Sequence, residues 1–415
     1  MEKLSFVTCA HRTSAYLKVF CKWSISSLLI GLICGVAGAA FHHAVELGAE
    51  AFAHFVWTLY CLPICGIVIV FLYHAVGIDK DRGTNLVLER LRSGMYPSYR
   101  ATLVIFLATA LTHLGGGSSG REGAALQIGA GISSCFSRLF KLNAKDTKVA
   151  TMCGMAGLFS AVFGTPVTAA VFSLEVCSVG TIWHTALYPC VLSSMAAWEV
   201  SHLLGGHAVR FSLMGLPEVG LLSIVRVVVL TLLYAVCSIL FLTVLHEGEH
   251  LMHRIQNPYV RIVVGGIAVI ILTLLVGRDY NGAGMGIAER ALSGSAVPYA
   301  FFLKMVFTAL TIGSGYKGGE IVPTFFIGAT FGCVVGPLIG LDAGFAAAVG
   351  MVVLFCSVVN CPLASIILAV ELFGGDGLVF FALACGLCYV MSGHYSLYSE
   401  QKFVFNKLSN ELKED

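Results

Sequence analysis

The segment Gly115–Gly123 reads GGGSSGREG, and the segment Gly313–Pro323 reads GSGYKGGEIVP. Each is rich in glycine, and each leads directly into an apolar run, AALQIGAGIS after the first and TFFIGATFG after the second. Glycine leaves the backbone N–H groups uncovered, so each segment predicts a loop that opens a helix with its N–H groups and its dipole directed at an anion. Together the two segments predict one anion site made by both.

The chain around these loops has the composition of a membrane protein. Of its 415 residues, 57% are hydrophobic and 12% are charged, whereas soluble domains carry about 25% charged residues. Backbone groups in lipid must be satisfied internally, so the apolar segments are predicted to be helices, which makes this an all-α polytopic membrane protein. Six windows without Asp, Glu, Lys or Arg reach the roughly 20 residues that a helix needs to cross a bilayer, namely Trp23–Val45, Ala51–Ile78, Val176–Ala197, Val227–His246, Ile321–Leu341 and Ala343–Val370.

Composition also limits the partners. The formal net charge of +2 and the lack of a basic patch give no indication of nucleic-acid binding. The opening residues lack a small-residue cleavage site, so no removed signal peptide is expected. The 15 cysteines lie mostly in apolar windows, which indicates packing rather than a disulfide framework. The expected partners are small ions and the lipid bilayer, without a cofactor or a metal.

The chain repeats itself. The segment GTPVTAAVFSLEV (164–176) resembles NCPLASIILAVEL (360–372), so that Glu175 and Glu371 are separated by 196 residues. TALT occurs at 109–112 and again at 308–311, and ERLRSG (89–94) is matched by ERALSG (289–294). Three matches in one order at nearly one spacing predict a duplication of units of about 200 residues.

These matches predict one membrane domain, residues 23–398, made of repeats at about 23–205 and 206–398. Residues 1–22 are predicted to be a cytoplasmic segment and residues 399–415 a short tail, too short for a regulatory domain. Repeats in transporters commonly meet at a binding site near the middle of the bilayer, built from broken helices.

Glu122 stands at the predicted start of the first broken helix. An unpaired carboxylate at the bilayer centre costs about 2.5–3.5 kcal/mol. Beside bare N–H groups it competes with an anion for the same donors, and protonation releases it, which predicts a gate that also carries a proton. The alternative is an ordinary first-turn glutamate at the membrane surface. The matching Glu320 in the second loop favours the gate.

Three segments resemble the signature sequences of the CLC chloride channels and anion/proton antiporters. They are Gly120-Arg-Glu-Gly123, Lys317-Gly-Gly319 with Pro323, and Leu397-Tyr-Ser399. The resemblance implies an inverted-repeat helical fold with broken helices, and a homodimer with one pore in each subunit. It implies that Glu122 is the gating glutamate and that the Tyr398 hydroxyl contacts the anion. It also implies further anion contacts from the segment holding Arg121 and Gly123 and from the backbone near Ile321.

The chain departs from ordinary members of that family at three places. Residues 81–89, DRGTNLVLE, replace the Gly-Ser-Gly-Ile-Pro segment, Val176 replaces the inner proton glutamate, and Glu320 replaces an apolar residue. Together these departures resemble the fluoride-exporting CLC-F branch. That branch has Gly-Met-Asn where this chain has Gly83-Thr84-Asn85, and a threonine where it has Val322.

The chemistry of fluoride fits these residues. Fluoride is small and strongly hydrated, so a site that removes its water must offer strong donors. Hydroxyl, amide and protonated carboxyl groups on Thr84, Asn85, Tyr398, Glu122 and Glu320 are such donors. Because Val176 cannot carry a proton, Glu320 is the nearest candidate to pass one to Glu122. The equally weighted alternative for Thr84 and Asn85 is a helix N-cap.

The sequence therefore predicts a fluoride/proton antiporter in the cell membrane that is not an enzyme. The alternatives are a chloride/proton exchanger or chloride channel of the same fold. A remote alternative is an intramembrane zinc metalloprotease, because His246-Glu-Gly-Glu-His250 matches the His-Glu-x-x-His pattern. The histidines His42, His43 and His113 are expected to pack in, or line, the membrane domain, with His113 near the Glu122 loop.

Overall fold

A computed structural model describes residues 6–78, 82–207, 209–407, 409 and 411, with the side chains of residues 6–13 and 15 left undescribed. Asp81, the first residue of the segment that departs from the CLC pattern, lies outside these ranges. The described residues form sixteen α-helices. The first eight are α1 (Phe6–His54), α2 (Leu62–Ala75), α3 (Gly83–Ser93), α4 (Arg100–Leu114), α5 (Glu122–Leu139), α6 (Ala144–Phe163), α7 (Pro166–Glu175) and α8 (Leu187–Leu203). The second eight are α9 (Leu221–His253), α10 (Pro258–Val276), α11 (Met285–Leu292), α12 (Ala300–Gly313), α13 (Ile321–Val335), α14 (Ala343–Val359), α15 (Pro362–Phe373) and α16 (Leu378–Met391).

The duplicated motifs fall on corresponding helices of the two sets. ERLRSG and ERALSG end α3 and α11, the two TALT segments lie in α4 and α12, and the glycine-rich segments precede α5 and α13. The proline-led segments form α7 and α15, each with its proline as the first helical residue, where the missing N–H is harmless. The repeat seen in the sequence is therefore a repeat of helix order.

Several apolar windows are not single spans. Five helical segments in the described chain are long and apolar enough to cross a membrane, and six more apolar helices have only 10–17 residues. The window 176–197 contains a short strand, β1 (Ser178–Val179), before α8 begins. The window 343–370 breaks at Asn360, which has a left-handed φ of 55°, a conformation that asparagine tolerates better than most residues. The prediction of one continuous span for each of these two windows is wrong.

Glycines allow the two repeats to pack in the same way. The Cα of Gly129 in α5 lies so close to the Gly154 carbonyl of α6 that a side chain at either position would overlap the other helix. Gly328 in α13 and Gly350 in α14 repeat this contact. Small residues allow close backbone approach in membrane proteins, where packing contributes much of the association energy. These contacts pack α5 against α6 and α13 against α14 inside the protein.

Two glutamates join the repeats by capping each other's helices. Glu371, near the end of α15, accepts hydrogen bonds from the N–H groups of Val167 (2.9 Å) and Thr168 (2.8 Å) at the start of α7. Glu175, at the end of α7, accepts from the N–H groups of Leu363 (3.2 Å) and Ala364 (2.9 Å) at the start of α15. Each carboxylate thus satisfies helix-start donors that have no intrahelical partner. This arrangement is called the reciprocal clamp below.

Residues 401–407, in the described part of the chain after Tyr398, contact the membrane domain. A second strand, β2 (Lys402–Phe403), pairs in parallel with β1. Gln401 donates to the carbonyls of Val176 (3.0 Å) and Val359 (2.7 Å), one from each repeat. Lys407 donates to Asn360 Oδ1 (2.5 Å) and to the Tyr389 carbonyl (2.7 Å). The tail therefore fastens the ends of α7, α14 and α16 together.

Candidate anion site and vestibule

The two glycine-rich loops meet in the middle of the protein. Gly120 and Gly319 form an antiparallel bridge, in which the Gly120 N–H donates to the Gly319 carbonyl (2.5 Å) and the Gly319 N–H to the Gly120 carbonyl (2.8 Å). A Cβ on Gly319 would lie 2.6 Å from the Gly123 nitrogen and 2.8 Å from the Glu122 nitrogen. Only glycine permits this approach, and it brings the N-terminal ends of α5 and α13 together.

Glu122 places its carboxylate on backbone amides of both repeats. Its side chain is fully buried, and Oε2 accepts hydrogen bonds from the Arg121 N–H (3.0 Å) and, across the repeat boundary, from the Val322 N–H (3.4 Å). Oε1 is buried and has no hydrogen-bond partner among the described residues. A negative group here is stabilised by the dipoles of two helices. The carboxylate occupies donors that could otherwise bind an anion.

Tyr398 also carries a buried polar atom without a hydrogen-bond partner. Its ring is 3% exposed, and the described part of the chain offers its hydroxyl no hydrogen bond. An unsatisfied buried polar group costs about 1–3 kcal/mol, so such a group is a candidate ligand for a bound ion. The Leu397 N–H donates to the Val358 carbonyl (2.8 Å) and the Tyr398 N–H to Ser396 Oγ (3.0 Å), which fixes the segment.

A cavity of about 660 Å³, called the vestibule below, leads from the surface to these groups. Its walls come from the end of α2, the start of α3, the end of α9, the start of α10 and the loop before α13. Four of the predicted site residues line it, namely Thr84, Asn85, Glu320 and Tyr398. Glu122, Gly123 and Ile321 lie beyond this lining, at the helix starts that meet at the glycine bridge. The vestibule thus reaches the candidate anion site from one side.

The start of α3 lacks the N-cap that was the alternative role of Thr84 and Asn85. The N-cap position is Arg82, and the cap has no side-chain hydrogen bond. Thr84 Oγ1 donates instead to the Gly123 carbonyl (3.3 Å), and Asn85 Oδ1 accepts from the Glu400 N–H (3.2 Å). The N-cap interpretation of these two residues is therefore wrong, because tertiary contacts take the side-chain atoms that a cap would use.

Arg121 contacts Glu122 through its backbone N–H, whereas its side chain points to α1. Its Nη1 lies 2.5 Å from His42 Nδ1, and His42 Nε2 lies 3.4 Å from Glu46 Oε2. The guanidinium is therefore held by α1, and the vestibule lining does not include it. His113 is buried with its Nδ1 2.9 Å from the Thr109 carbonyl, and Ser119 of the first loop lies close to its ring. The expectation that His113 lies near the Glu122 loop is met.

Sequence reasoning missed two residues near the site. Gln401 binds the carbonyl of Val176, the residue found where other family members have the inner proton glutamate, and its Oε1 accepts from Ser396 Oγ (2.7 Å) beside Tyr398. Lys407 occupies a pocket between Asn360 and Tyr389. Both follow the last signature segment, and no local pattern distinguishes them from exposed tail residues.

The comparisons with known proteins agree with this architecture. Residues 65–393 match the family described as "Voltage gated chloride channel". A "Chloride/fluoride channel protein" of Pseudomonas syringae pv. tomato is 31% identical over 403 residues, which are 95% of this chain and 89% of that protein. A crystal structure of a CLC-type fluoride/proton antiporter superposes with a TM-score of 0.89 at 30% identity, covering 97% of this chain and all of that one. A slow cyanobacterial Cl⁻/H⁺ antiporter shares the fold, with a TM-score of 0.78 at 18% identity over 89% of this chain and 94% of its own.

The chain belongs to the CLC family of chloride channels and anion/proton antiporters. The predicted all-α, inverted-repeat membrane fold is confirmed. A family of channels and transporters is not one of enzymes, so the metalloprotease alternative is wrong. Within the described ranges no group of three His, Cys, Asp or Glu side chains could hold a metal, and His246 Nε2 instead lies 3.2 Å from the Ser396 carbonyl.

Proposed function

We propose that this protein is an antiporter that exports fluoride across the cell membrane by using the proton gradient. The observation that supports it best is the Glu122 carboxylate on the amides of Arg121 and Val322. A carboxylate and an anion cannot hold these donors together, so fluoride binding requires Glu122 to leave, and protonation lowers its affinity for them. Each cycle then exchanges fluoride for a proton.

The remaining site residues have distinct roles in this proposal. Tyr398 donates its unpartnered hydroxyl to the dehydrated fluoride, and the N–H groups near Gly123 and Ile321 supply further donors. Thr84 and Asn85 line the path just before the site. Glu320 at the start of α13 takes the proton from Glu122, because Val176 leaves no ionisable group at the usual inner position. Arg121 contributes its N–H.

Fluoride is the proposed substrate for two reasons. The relative at 31% identity is named a chloride/fluoride channel protein, and the solved structure at 30% identity is a fluoride/proton antiporter. The donors around the cavity are a phenol, a threonine hydroxyl, an asparagine amide and a carboxyl, which suit a strongly hydrated ion.

The vestibule is proposed to face the cytoplasm. It opens where α9 ends and α10 begins, next to Arg254, and Arg82 of its lining shares Glu400 with Arg92, whose carbonyl accepts a hydrogen bond from Lys148. Cytoplasmic segments of membrane proteins are enriched in Lys and Arg. We also propose a homodimer with one pathway in each subunit, as the family resemblance implies.

The test is transport in liposomes that contain the purified protein. Fluoride, chloride and pH are followed together after a fluoride gradient is imposed. We expect fluoride efflux with opposite proton movement and little chloride movement, and we expect Glu122→Gln to abolish the proton movement. Fluoride efflux without protons refutes the antiporter, and chloride moving as fast as fluoride refutes the selectivity. Unchanged coupling in Glu122→Gln refutes its role as proton carrier.

A further inference from the structure

The His-Glu-Gly-Glu-His stretch at the end of α9 has no role in the mechanism above, yet part of it lines the vestibule. His246 and Glu249 line it, together with His253 at the last position of the helix. Glu247 and His250, in the same stretch, do not belong to the lining. One helix therefore presents three groups that can exchange protons to the cavity that also contains Glu320.

The hydrogen bonds of the two histidines leave each of them able to accept a proton. His253 Nδ1 lies 2.8 Å from the Glu249 carbonyl, and His246 Nε2 lies 3.2 Å from the Ser396 carbonyl. A carbonyl only accepts, so each of these nitrogens carries hydrogen, and the other ring nitrogen of each histidine has the lone pair. An imidazole can thus take up a proton at one ring nitrogen and release one from the other, which is why histidine serves as a proton shuttle.

Glu249 lies about one helical turn from each of these histidines along α9, and it lines the same cavity as Glu320. Its side chain is exposed and makes no hydrogen bond or ion pair with the described residues. It interacts electrostatically with Glu320 across the cavity and with Arg261 of α10. The other charged or titratable side chains that line the same cavity are Arg82, Lys317 and His74 from the facing elements, together with the phenols of Tyr73, Tyr316 and Tyr398. A carboxylate in the entrance of an anion pathway repels the anion, so anion binding does not explain the presence of Glu249 there.

We propose that Glu249 and His253 form a proton-exchange relay between Glu320 and the solution at the mouth of the vestibule. In the export direction, a proton leaves the Glu320 carboxyl, is taken up by Glu249, passes to the free ring nitrogen of His253 and then to buffer. Each step moves one proton and makes no other bond. His246 completes the set of exchanging groups, and its contact with Ser396 also supports the Tyr398 segment.

The relay rests on the proposed antiport, and it gives the vestibule two uses. The anion and the proton share one entrance, because Val176 and its neighbour Gln401 close the position used by the usual inner glutamate. Release of a proton into unbuffered water is slow, whereas nearby bases accept it at once. A relay of fixed bases should therefore matter most when mobile buffer is scarce.

The experiment compares two double variants in liposomes. Glu249→Gln with His253→Gln removes the relay, and Glu247→Gln with His250→Gln makes the same chemical changes outside the cavity. Fluoride-driven proton flux is measured in dilute and in concentrated buffer. We expect the relay variant to be slowed about tenfold in dilute buffer, less than the roughly hundredfold minimum usual for a positioned acid–base group, because water still accepts some of the protons. Concentrated buffer should restore its rate, and the control variant should match the wild type in both buffers.

Each outcome decides something. An unchanged rate for the relay variant in dilute buffer overturns the relay. The relay is also overturned if the variant is slow and concentrated buffer does not restore its rate, because such slowing indicates a structural effect. Thermal stability and fluoride binding of the variant, expected to equal those of the wild type, test independently for structural damage. If the wild type moves no protons in either buffer, the proposed antiport itself fails, whereas a coupled wild type with a normal relay variant leaves antiport intact.

Discussion

Gly120 lies against the carboxylate of Glu122, so a substitution at Gly120 can displace that carboxylate while residue 122 itself stays a glutamate. A Cβ on Gly120 would overlap Glu122 Oε2, whereas its nearest backbone neighbour, the Gly319 carbonyl oxygen, would lie 3.2 Å away. The φ of Gly120 is outside the left-handed region, so alanine is not excluded by the backbone. The atom that must move in Gly120→Ala is therefore the end of a flexible side chain. We expect this variant to fold and to lose the seated position of the carboxylate.

The size of the effect follows from the two hydrogen bonds that Glu122 would lose, at 3.0 Å and 3.4 Å. A hydrogen bond to a charged group contributes about 1.5–3 kcal/mol. The longer bond is weak, and the displaced carboxylate regains some contacts. We therefore set the net loss of free energy equal to that of one hydrogen bond. This corresponds to a roughly ten- to hundredfold shift away from the occupied state. Under the proposed mechanism fluoride competes for the same amides, so its apparent affinity should rise by about that factor.

The assay is calorimetric titration of fluoride, followed by the ratio of protons to fluoride moved in liposomes. Gly120→Ala should bind fluoride more tightly and transport it with fewer protons. Gly386→Ala is the control, because a Cβ there meets nothing within 4 Å. In the Glu122→Ala background, Gly120→Ala should add nothing, as a double-mutant cycle would reveal. Unchanged affinity and coupling in a correctly folded Gly120→Ala would refute the proposed competition.

Three further predictions concern the supports of the site. Glu371→Ala removes two hydrogen bonds to helix-start amides of α7. After allowance for the partial exposure of this side chain, the loss should destabilise the fold by about 2 kcal/mol, which a lower apparent Tm in detergent would show. Tyr398→Phe should leave the Tm unchanged, since its hydroxyl has no partner, but weaken fluoride binding about tenfold in calorimetry. Burial lowers the pKa of Lys407 to about 8, so between about pH 8 and pH 10 the Lys407 amine holds fewer protons in the docked tail than in a free tail. Docking of the tail should therefore strengthen as pH rises from about 8 to about 10. A spin label at Ser409, in a chain without the exposed Cys21 and Cys135, would report this docking.

Conservative variants separate these effects from general damage. Glu371→Gln keeps one acceptor and should lose less stability than Glu371→Ala; equal losses would argue against the capping role. A drop in Tm for Tyr398→Phe would show that its hydroxyl has a structural partner. For the tail, Lys407→Met should remove the pH dependence of label mobility between pH 8 and 10. Persistence of that dependence would assign it to another group.

The meeting of the two loops could be predicted from the sequence because it depends on features that a sequence displays. The bridge requires glycine at Gly319, and the repeat places both loops at equivalent points of two similar units. The repeat likewise shows that Glu175 and Glu371, the two glutamates of the reciprocal clamp, occupy equivalent positions at the ends of their proline-led helices. The partners of those caps, each in the opposite repeat, follow only from the three-dimensional arrangement.

Other features could not be predicted, because they depend on long-range contacts. Hydropathy measures whether a segment tolerates lipid, and it is blind to the change of direction at Asn360. The pattern around Thr84 is typical of a helix cap, but the Gly123 carbonyl, 39 residues away, takes its hydroxyl. Gln401 looks like a tail residue, yet its amide binds Val176, which is 225 residues distant. Composition gives no measure of such pairings.

The reciprocal clamp has a consequence for how such a chain could arise. A single unit of about 200 residues would leave the first amides of its proline-led helix exposed, since the carboxylate that covers them belongs to the opposite unit. Each carboxylate lies at the end of one helix and covers the start of the other, so the two proline-led helices run in opposite directions. Two unfused units would satisfy these amides only while they stayed paired, whereas fusion into one chain keeps each glutamate beside its partner helix.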